Sequence, residues 1–172
     1  MEQPYHWYAV YTKSRSEKKL ADRLTEKGIE AYVPLRKTLR QWSDRKKWVR
    51  EPLISSYVFV NITASDYYEV LNTPGAVKYI WFSGHPAVIP SRQIETLKML
   101  TGSDVEIESI SGNIPPGTHV KVVFGPLRGL EGELVTHAGK NRVIVRIDHI
   151  DKVLMVTIGQ QMLEKVSIGG NL

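Results

Sequence analysis

No cysteine occurs in the chain, which excludes structural disulfides and thiolate-bound zinc alike. No stretch approaches the roughly 20 consecutive apolar residues of a membrane-spanning helix. The first residues, Met1 to His6, lack the basic segment and apolar run of a secretory signal. The cytoplasm is therefore the expected compartment, with no membrane partner. Histidine is sparse: His6, His85, His119, His137 and His149 are scattered and never take H-x-x-x-H or H-x-E spacing. The single acid–histidine cluster is Asp148-His149-Ile150-Asp151, and neighbours one apart on a strand point to opposite faces, so it reads as a surface turn. No nucleophile elbow, dinucleotide fingerprint or phosphate-binding loop is present. The expectation is a protein without enzymatic activity, metal or cofactor.

The chain of 172 residues has 42% apolar and 24% charged residues, which suits one medium domain or two small ones. Its net charge of +5 is uneven. Residues 1–100 carry 16 basic against 10 acidic side chains, and 13 of those bases lie between Lys13 and Arg50 against 5 acids. Residues 101–114 hold three acids (Asp104, Glu106, Glu108) and no base. A basic concentration of this kind attracts phosphate backbones by releasing counterions.

The acidic, Ser/Gly-containing segment 101–114 reads as a linker between a mixed α+β domain at 1–100 and an all-strand domain at 115–172. The aromatic and β-branched run from His6 to Thr12 predicts a strand. Ser14 and Glu17 have capping-box spacing, Leu20, Ala21 and Leu24 form a stripe and Gly28 stops it, so a helix is expected near 15–27. Residues 36–50 predict a projecting basic hairpin that turns at Ser43-Asp44. Leu53 to Ile62 is the strongest strand. Ser65 then caps a short helix, strands surround a turn at Ser83-Gly84, and a helix from Ser91 buries Ile94, Leu97 and Leu100. Beyond residue 115, four or five short strands predict a small closed β-barrel. Gly125, Gly129 and Gly132 read as turn residues with unusual backbone angles.

Two groups of residues carry a family resemblance. The stretch from Val120 to Leu134, with Gly125, Gly129 and Gly132, resembles the KOW strand–turn–strand motif. Upstream, Trp7-Tyr-Ala-Val-Tyr11, Tyr57-Val-Phe-Val60, Thr73-Pro-Gly75 and Pro86-Ala-Val-Ile-Pro90 are similar in order and spacing to the NusG N-terminal (NGN) domain. The basic hairpin leading into Glu51-Pro-Leu53 resembles the RfaH-like branch of the family, and its wording is closest to the UpxY-type antiterminators of Bacteroides. The resemblance implies an antiparallel NGN sheet flanked by helices, followed by a small SH3-like KOW barrel. It also implies a factor that suppresses pausing or termination on capsular or exopolysaccharide operons.

The same resemblance supplies expected contacts. An apolar patch at Tyr11, Ile54, Tyr57, Phe82 and Ile94 would meet the β′ clamp helices of RNA polymerase, with the β subunit as a further contact. The family's Phe-Pro-Gly-Tyr is here Ile54-Ser-Ser-Tyr57. Lys13, Arg15, Lys19 and Arg23 would approach non-template DNA; the last three recur four residues apart and so fall on one side of a helix. On the hairpin, Arg40, Trp42, Arg45, Lys46, Lys47 and Trp48 combine cations with aromatics, a combination suited to single-stranded nucleic acid. Asp66, Tyr67 and Tyr68 stand where the family touches the β-subunit gate loop, yet do not reproduce its pattern. The barrel's partner would be ribosomal protein S10 or the termination factor Rho. The rival reading is a KOW-type RNA-binding or ribosome-associated protein.

Overall fold

The computed structural model describes residues 2–167. The chain divides into two compact units between Ile94 and Glu95.

In the first unit, β1 (His6–Thr12) is the central strand. It pairs antiparallel with β5 (Tyr57–Ile62) on one edge, and β2 (Glu30–Tyr32) extends the sheet beyond β5. On its other edge β6 (Ala76–Tyr79) and β9 (Val88–Ile89) pair with β1 at its two ends. Side chains alternate across the sheet. Tyr8 and Val10 therefore share a face with Val58 and Val60, and that face packs against Leu20 and Leu24 of α1 (Glu17–Glu26) and Val70 of α2 (Tyr67–Leu71). Tyr79 is enclosed in this cluster, where its hydroxyl donates to the Tyr67 carbonyl at 3.0 Å and its ring stacks on that of Tyr67. Burial, reinforced by the neighbouring tyrosines Tyr67 and Tyr8 and by Asp66, pushes the Tyr79 phenol well above its usual range.

The opposite face is also apolar: Trp7, Ala9 and Phe59 are all buried. A hairpin of β3 (Leu35–Gln41) and β4 (Lys46–Pro52) forms a separate two-stranded sheet. Its turn closes where the Trp42 amide donates to the Arg45 carbonyl at 2.8 Å. A second small hairpin, β7 (Trp81–Phe82) with β8 (His85–Pro86), turns on Ser83 and Gly84, both at positive φ as a type I′ turn requires. Helix α3 (Ser91–Thr101) buries Ile94, Leu97 and Leu100.

The second unit contains a six-stranded antiparallel sheet. Its strands are β10 (Ile107–Ile110), β11 (Thr118–Val122), β12 (Glu131–His137), β13 (Lys140–Arg146), β14 (Val153–Val156) and β15 (Leu163–Lys165). The spatial order is β10-β14-β13-β12-β11-β15. The segment 101–114 is thus not simply a linker. Glu108, Ser109 and Ile110 of β10 pair with Met155, Leu154 and Val153 of β14. Ile110 and Ile114 pack on Ile144, Val153 and Met155. The alternation Val105-Glu106-Ile107-Glu108 carried that strand signal beneath the acidic composition.

Gly125 and Gly129 do take positive φ, but Gly132 does not. It sits within β12, where a Cβ would come 2.6 Å from the Ile144 carbonyl oxygen, so close approach of β13 rather than a turn demands glycine. The same strands hold an ion pair. Arg146 Nε donates to Glu133 Oε2 at 2.8 Å, its Nη2 donates to the Ile114 carbonyl at 2.7 Å, and the Gly117 amide donates to Glu133 Oε1 at 3.1 Å. Burial pushes the Glu133 carboxyl up, but the Arg146 guanidinium and the Gly117 amide outweigh it and hold the group below its ordinary value.

Candidate functional site

Tyr11 and Tyr57 are cross-strand partners at the end of the sheet face that does not receive α1. Their rings meet edge to face, with centroids 5.7 Å apart and planes at 79°. Tyr11 remains 38% exposed and Tyr57 is half-buried. Lys78, the partner of Tyr11 on β6, is exposed on the same side. Edge-to-face aromatics that keep part of their surface exposed form a semi-apolar platform of the kind that anchors protein interfaces. Phe82, 56% exposed, stands at the tip of the β7–β8 hairpin beside Trp81, which is 54% exposed. Trp81 was not among the expected contacts, although its place next to the Ser83-Gly84 turn is a signal for it.

Ile54 and Ile94 correct the expected patch. Both are fully enclosed, so neither side chain can present an apolar surface to a partner. Ile54 lies in the connection from β4 to β5 and Ile94 on the buried stripe of α3. Their apolarity is spent on the core.

The basic residues also divide. Helix α1 starts at Glu17, so Arg15 is not on it: it lies in the preceding turn at positive φ. Lys13 and Arg15 are exposed on that turn, and Lys19 and Arg23 are exposed one helical turn apart on α1. The predicted capping box is absent as well. Ser16 is the N-cap residue and makes no side-chain cap bond, while the buried Glu17 carboxylate accepts the Ser56 amide at 2.7 Å. Arg23 Nη1 donates to the Pro74 carbonyl at 2.8 Å, and Lys18 Nζ donates to the Arg50 carbonyl. The Arg23 flank of α1 therefore borders the 73–75 turn, and the Lys18 flank borders the base of the hairpin.

On the hairpin, Arg40, Trp42, Arg45, Lys46, Lys47 and Trp48 are all exposed. Arg40 and Arg36 both bond the Glu51 carboxylate, and the hydrogen bond from Arg40, above all, holds that carboxyl below its ordinary value against the opposing effect of burial. The Arg45 guanidinium lies 5.8 Å from the Trp42 ring centroid, and Lys37 Nζ lies 5.2 Å from that of Trp48. Near α2, Thr63 rather than Ser65 makes the cap: its amide and hydroxyl both donate to Asp66 Oδ2. Tyr67 packs on the core, whereas Tyr68 is 72% exposed.

Among the described residues no helix is long and apolar enough to cross a membrane, and no group of three or more His, Asp or Glu could hold a metal ion.

A family model described as "NusG: Transcription termination factor nusG" matches residues 5–98. Among solved structures, the chain is similar to Thermotoga maritima NusG, described under "Domain interaction in Thermotoga maritima NusG". Identity is 21% and the TM-score 0.58, over 95% of this chain and 98% of that one. Two structures of the MjSpt4:Spt5 complex also align over 94% of this chain. Conformation A gives 18% identity, a TM-score of 0.32 and 98% of its own chain, and conformation B gives 20%, 0.32 and 97%.

Proposed function

Since the chain belongs to the NusG family of transcription factors, we propose that it is an elongation and antitermination factor of the RfaH/UpxY-like kind. The N-terminal unit grips the β′ clamp helices of RNA polymerase through Tyr11, Tyr57 and Phe82. Lys13, Arg15, Lys19 and Arg23 lie along non-template DNA. The factor works in the cytoplasm and suppresses pausing or termination, with capsular or exopolysaccharide operons as its targets. The strands beyond residue 115 form a KOW module that recruits ribosomal protein S10 or Rho.

The observation that carries this reading is the Tyr11–Tyr57 pair. Two aromatic rings at the open end of an otherwise enclosed sheet face keep accessible surface, whereas Tyr79 of the same sheet is fully buried. Anchors of this type dominate interface energetics because they fill a pocket and expel water from it. The neighbouring turn and helix add four exposed cations, which suit a phosphate backbone.

Capture of RNA polymerase by the tagged full chain tests the proposal. Stoichiometric polymerase is expected with the wild type and a strongly reduced amount with Tyr57→Ala. Capture of ribosomes without polymerase would instead support the RNA-binding alternative.

A further inference from the structure

The β3–β4 hairpin has two chemically different faces. Residues in register across an antiparallel pair share a face, and successive residues alternate. One face bears Arg36, Thr38, Arg40, Lys47, Val49 and Glu51, most of them half-buried. Its carboxylate binds both arginines of that face. The other face bears Lys37, Leu39, Gln41, Lys46, Trp48 and Arg50, every one exposed and none acidic.

We propose that this second face is a docking platform for single-stranded DNA, with an unpaired base stacked on Trp48 and phosphates held by Lys37, Lys46 and Arg50. Trp48 is 58% exposed although it is the largest apolar side chain of this face. A solvated indole next to cations is the pairing that single strands use, because every base offers a π-face and every nucleotide a charge. Lys37 already lies against the ring by a cation–π contact, so a phosphate drawn to Lys37 brings its base to the indole. Lys46 and Arg50 stand four residues apart on β4, roughly 13 Å at strand rise, which spans a few nucleotides of backbone. A duplex cannot use the indole, since its bases are stacked on one another. The base of the hairpin is fixed: the Leu53 amide donates to the Pro34 carbonyl at 2.8 Å and Lys18 holds the Arg50 carbonyl. The platform thus presents a set geometry. Trp42 and Arg40 fall outside it, the first in the turn and the second tied to Glu51.

The choice of DNA over RNA rests on the reading that the chain works at a transcription bubble; the stacking and charge geometry do not depend on it. Fluorescence anisotropy of labelled oligo(dT) with the purified full chain, without polymerase, tests the platform. Trp48→Ala is expected to weaken binding about tenfold, the scale of one stacked base, while Trp48→Phe keeps most of the affinity. Lys46→Gln should weaken it severalfold, and Arg36→Gln, which removes the same charge from the opposite face, should not. Thermal melts of each variant separate lost binding from lost folding. Wild-type affinity in Trp48→Phe and Trp48→Ala alike, equal losses in Lys46→Gln and Arg36→Gln, or tighter binding of duplex or oligo(U) than of oligo(dT), overturns the platform. The variant Lys19→Glu with Arg23→Glu is measured beside them. If it alone loses oligo(dT), the hairpin platform falls and the α1 contact stands. If only the Trp48 and Lys46 variants lose it, the α1 contact falls and the platform stands.

Discussion

The buried carboxylate of Glu17 accepts the backbone amide of Ser56 at 2.7 Å, joining the first turn of α1 to the residue that precedes Tyr57. Ser56 has φ of 66°, a left-handed conformation that costs a non-glycine residue about 1 kcal/mol or more. The charge-assisted bond offsets that strain and sets where β5 begins. This contact therefore ties the helix to the start of β5 across 39 residues of sequence.

Glu17→Ala leaves the Ser56 amide without its acceptor and should lower stability by about 2–3 kcal/mol. Urea unfolding is expected to show a lower midpoint with an unchanged slope. Glu17→Gln keeps an acceptor oxygen and should lose less. An Ala variant as stable as the wild type would mean that the bond contributes nothing to the fold.

Core and surface roles separate between Ile54 and Tyr11. Ile54→Ala should destabilise the chain by about 2–5 kcal/mol, since the residue is fully enclosed. Tyr11→Ala, at a position that is 38% exposed, should cost less stability than Ile54→Ala. Its effect on polymerase affinity should be about 2 kcal/mol or more, as expected of an interface anchor. The reverse ranking in unfolding and capture assays would move Tyr11 out of the interface.

Lys19→Glu with Arg23→Glu should weaken binding to elongation complexes that expose the non-template strand, and more at low salt than at high. The slope of log affinity against log salt should become shallower by about one for each lost phosphate contact. Binding to core polymerase without DNA serves as the control. An equal loss there would assign the two cations to protein rather than DNA.

The Glu133–Arg146 pair makes stability depend on acid. The Glu133 carboxyl is held below its usual value in the folded chain, so its contribution is fully present above the unfolded value of about 4.3. That contribution is lost as pH falls through the lower folded value. Glu133→Gln should cost about 2 kcal/mol near neutral pH, moderated because Arg146 is partly exposed. The gap in melting temperature between wild type and variant should narrow below about pH 4. A gap of constant size across that range would remove the ion pair from the account.

Gly132→Ala places a methyl group 2.6 Å from the Ile144 carbonyl oxygen and 2.7 Å from Val143 Cγ1. Forced separation of β12 from β13 should lower stability by about 1–3 kcal/mol. Amide hydrogen exchange in β12 and β13 should accelerate in the variant. Unchanged protection there would show that the strands absorb the extra atom.

Much of the fold was legible in one dimension. The aromatic strand at 6–12, the stripe Leu20-Ala21-Leu24 and the hairpin around Ser43-Asp44 all follow from local period and turn chemistry, which sequence carries directly. The acidic segment 101–114 misled because composition masked a short alternating run, and its strand exists only because β14 offers it a partner. Exposure was the quantity least legible. Tyr79 and Tyr11 are the same residue type on neighbouring strands, yet one is sealed in the core with its hydroxyl bonded and the other stays open to solvent.

What the sequence determined alone is the order and character of the elements, the basic excess between Lys13 and Arg50, and the family to which the motifs point. Which face each side chain occupies was decided by the tertiary structure. Ile54 and Ile94 went to the core, Glu17 left its helix cap for Ser56, and one hairpin face became half-buried with Arg36 and Arg40 bonded to Glu51 while the face of Trp48 and its cations stayed exposed. The reason is physical: period and propensity act within a few residues, whereas burial and ion pairing depend on what distant segments bring alongside.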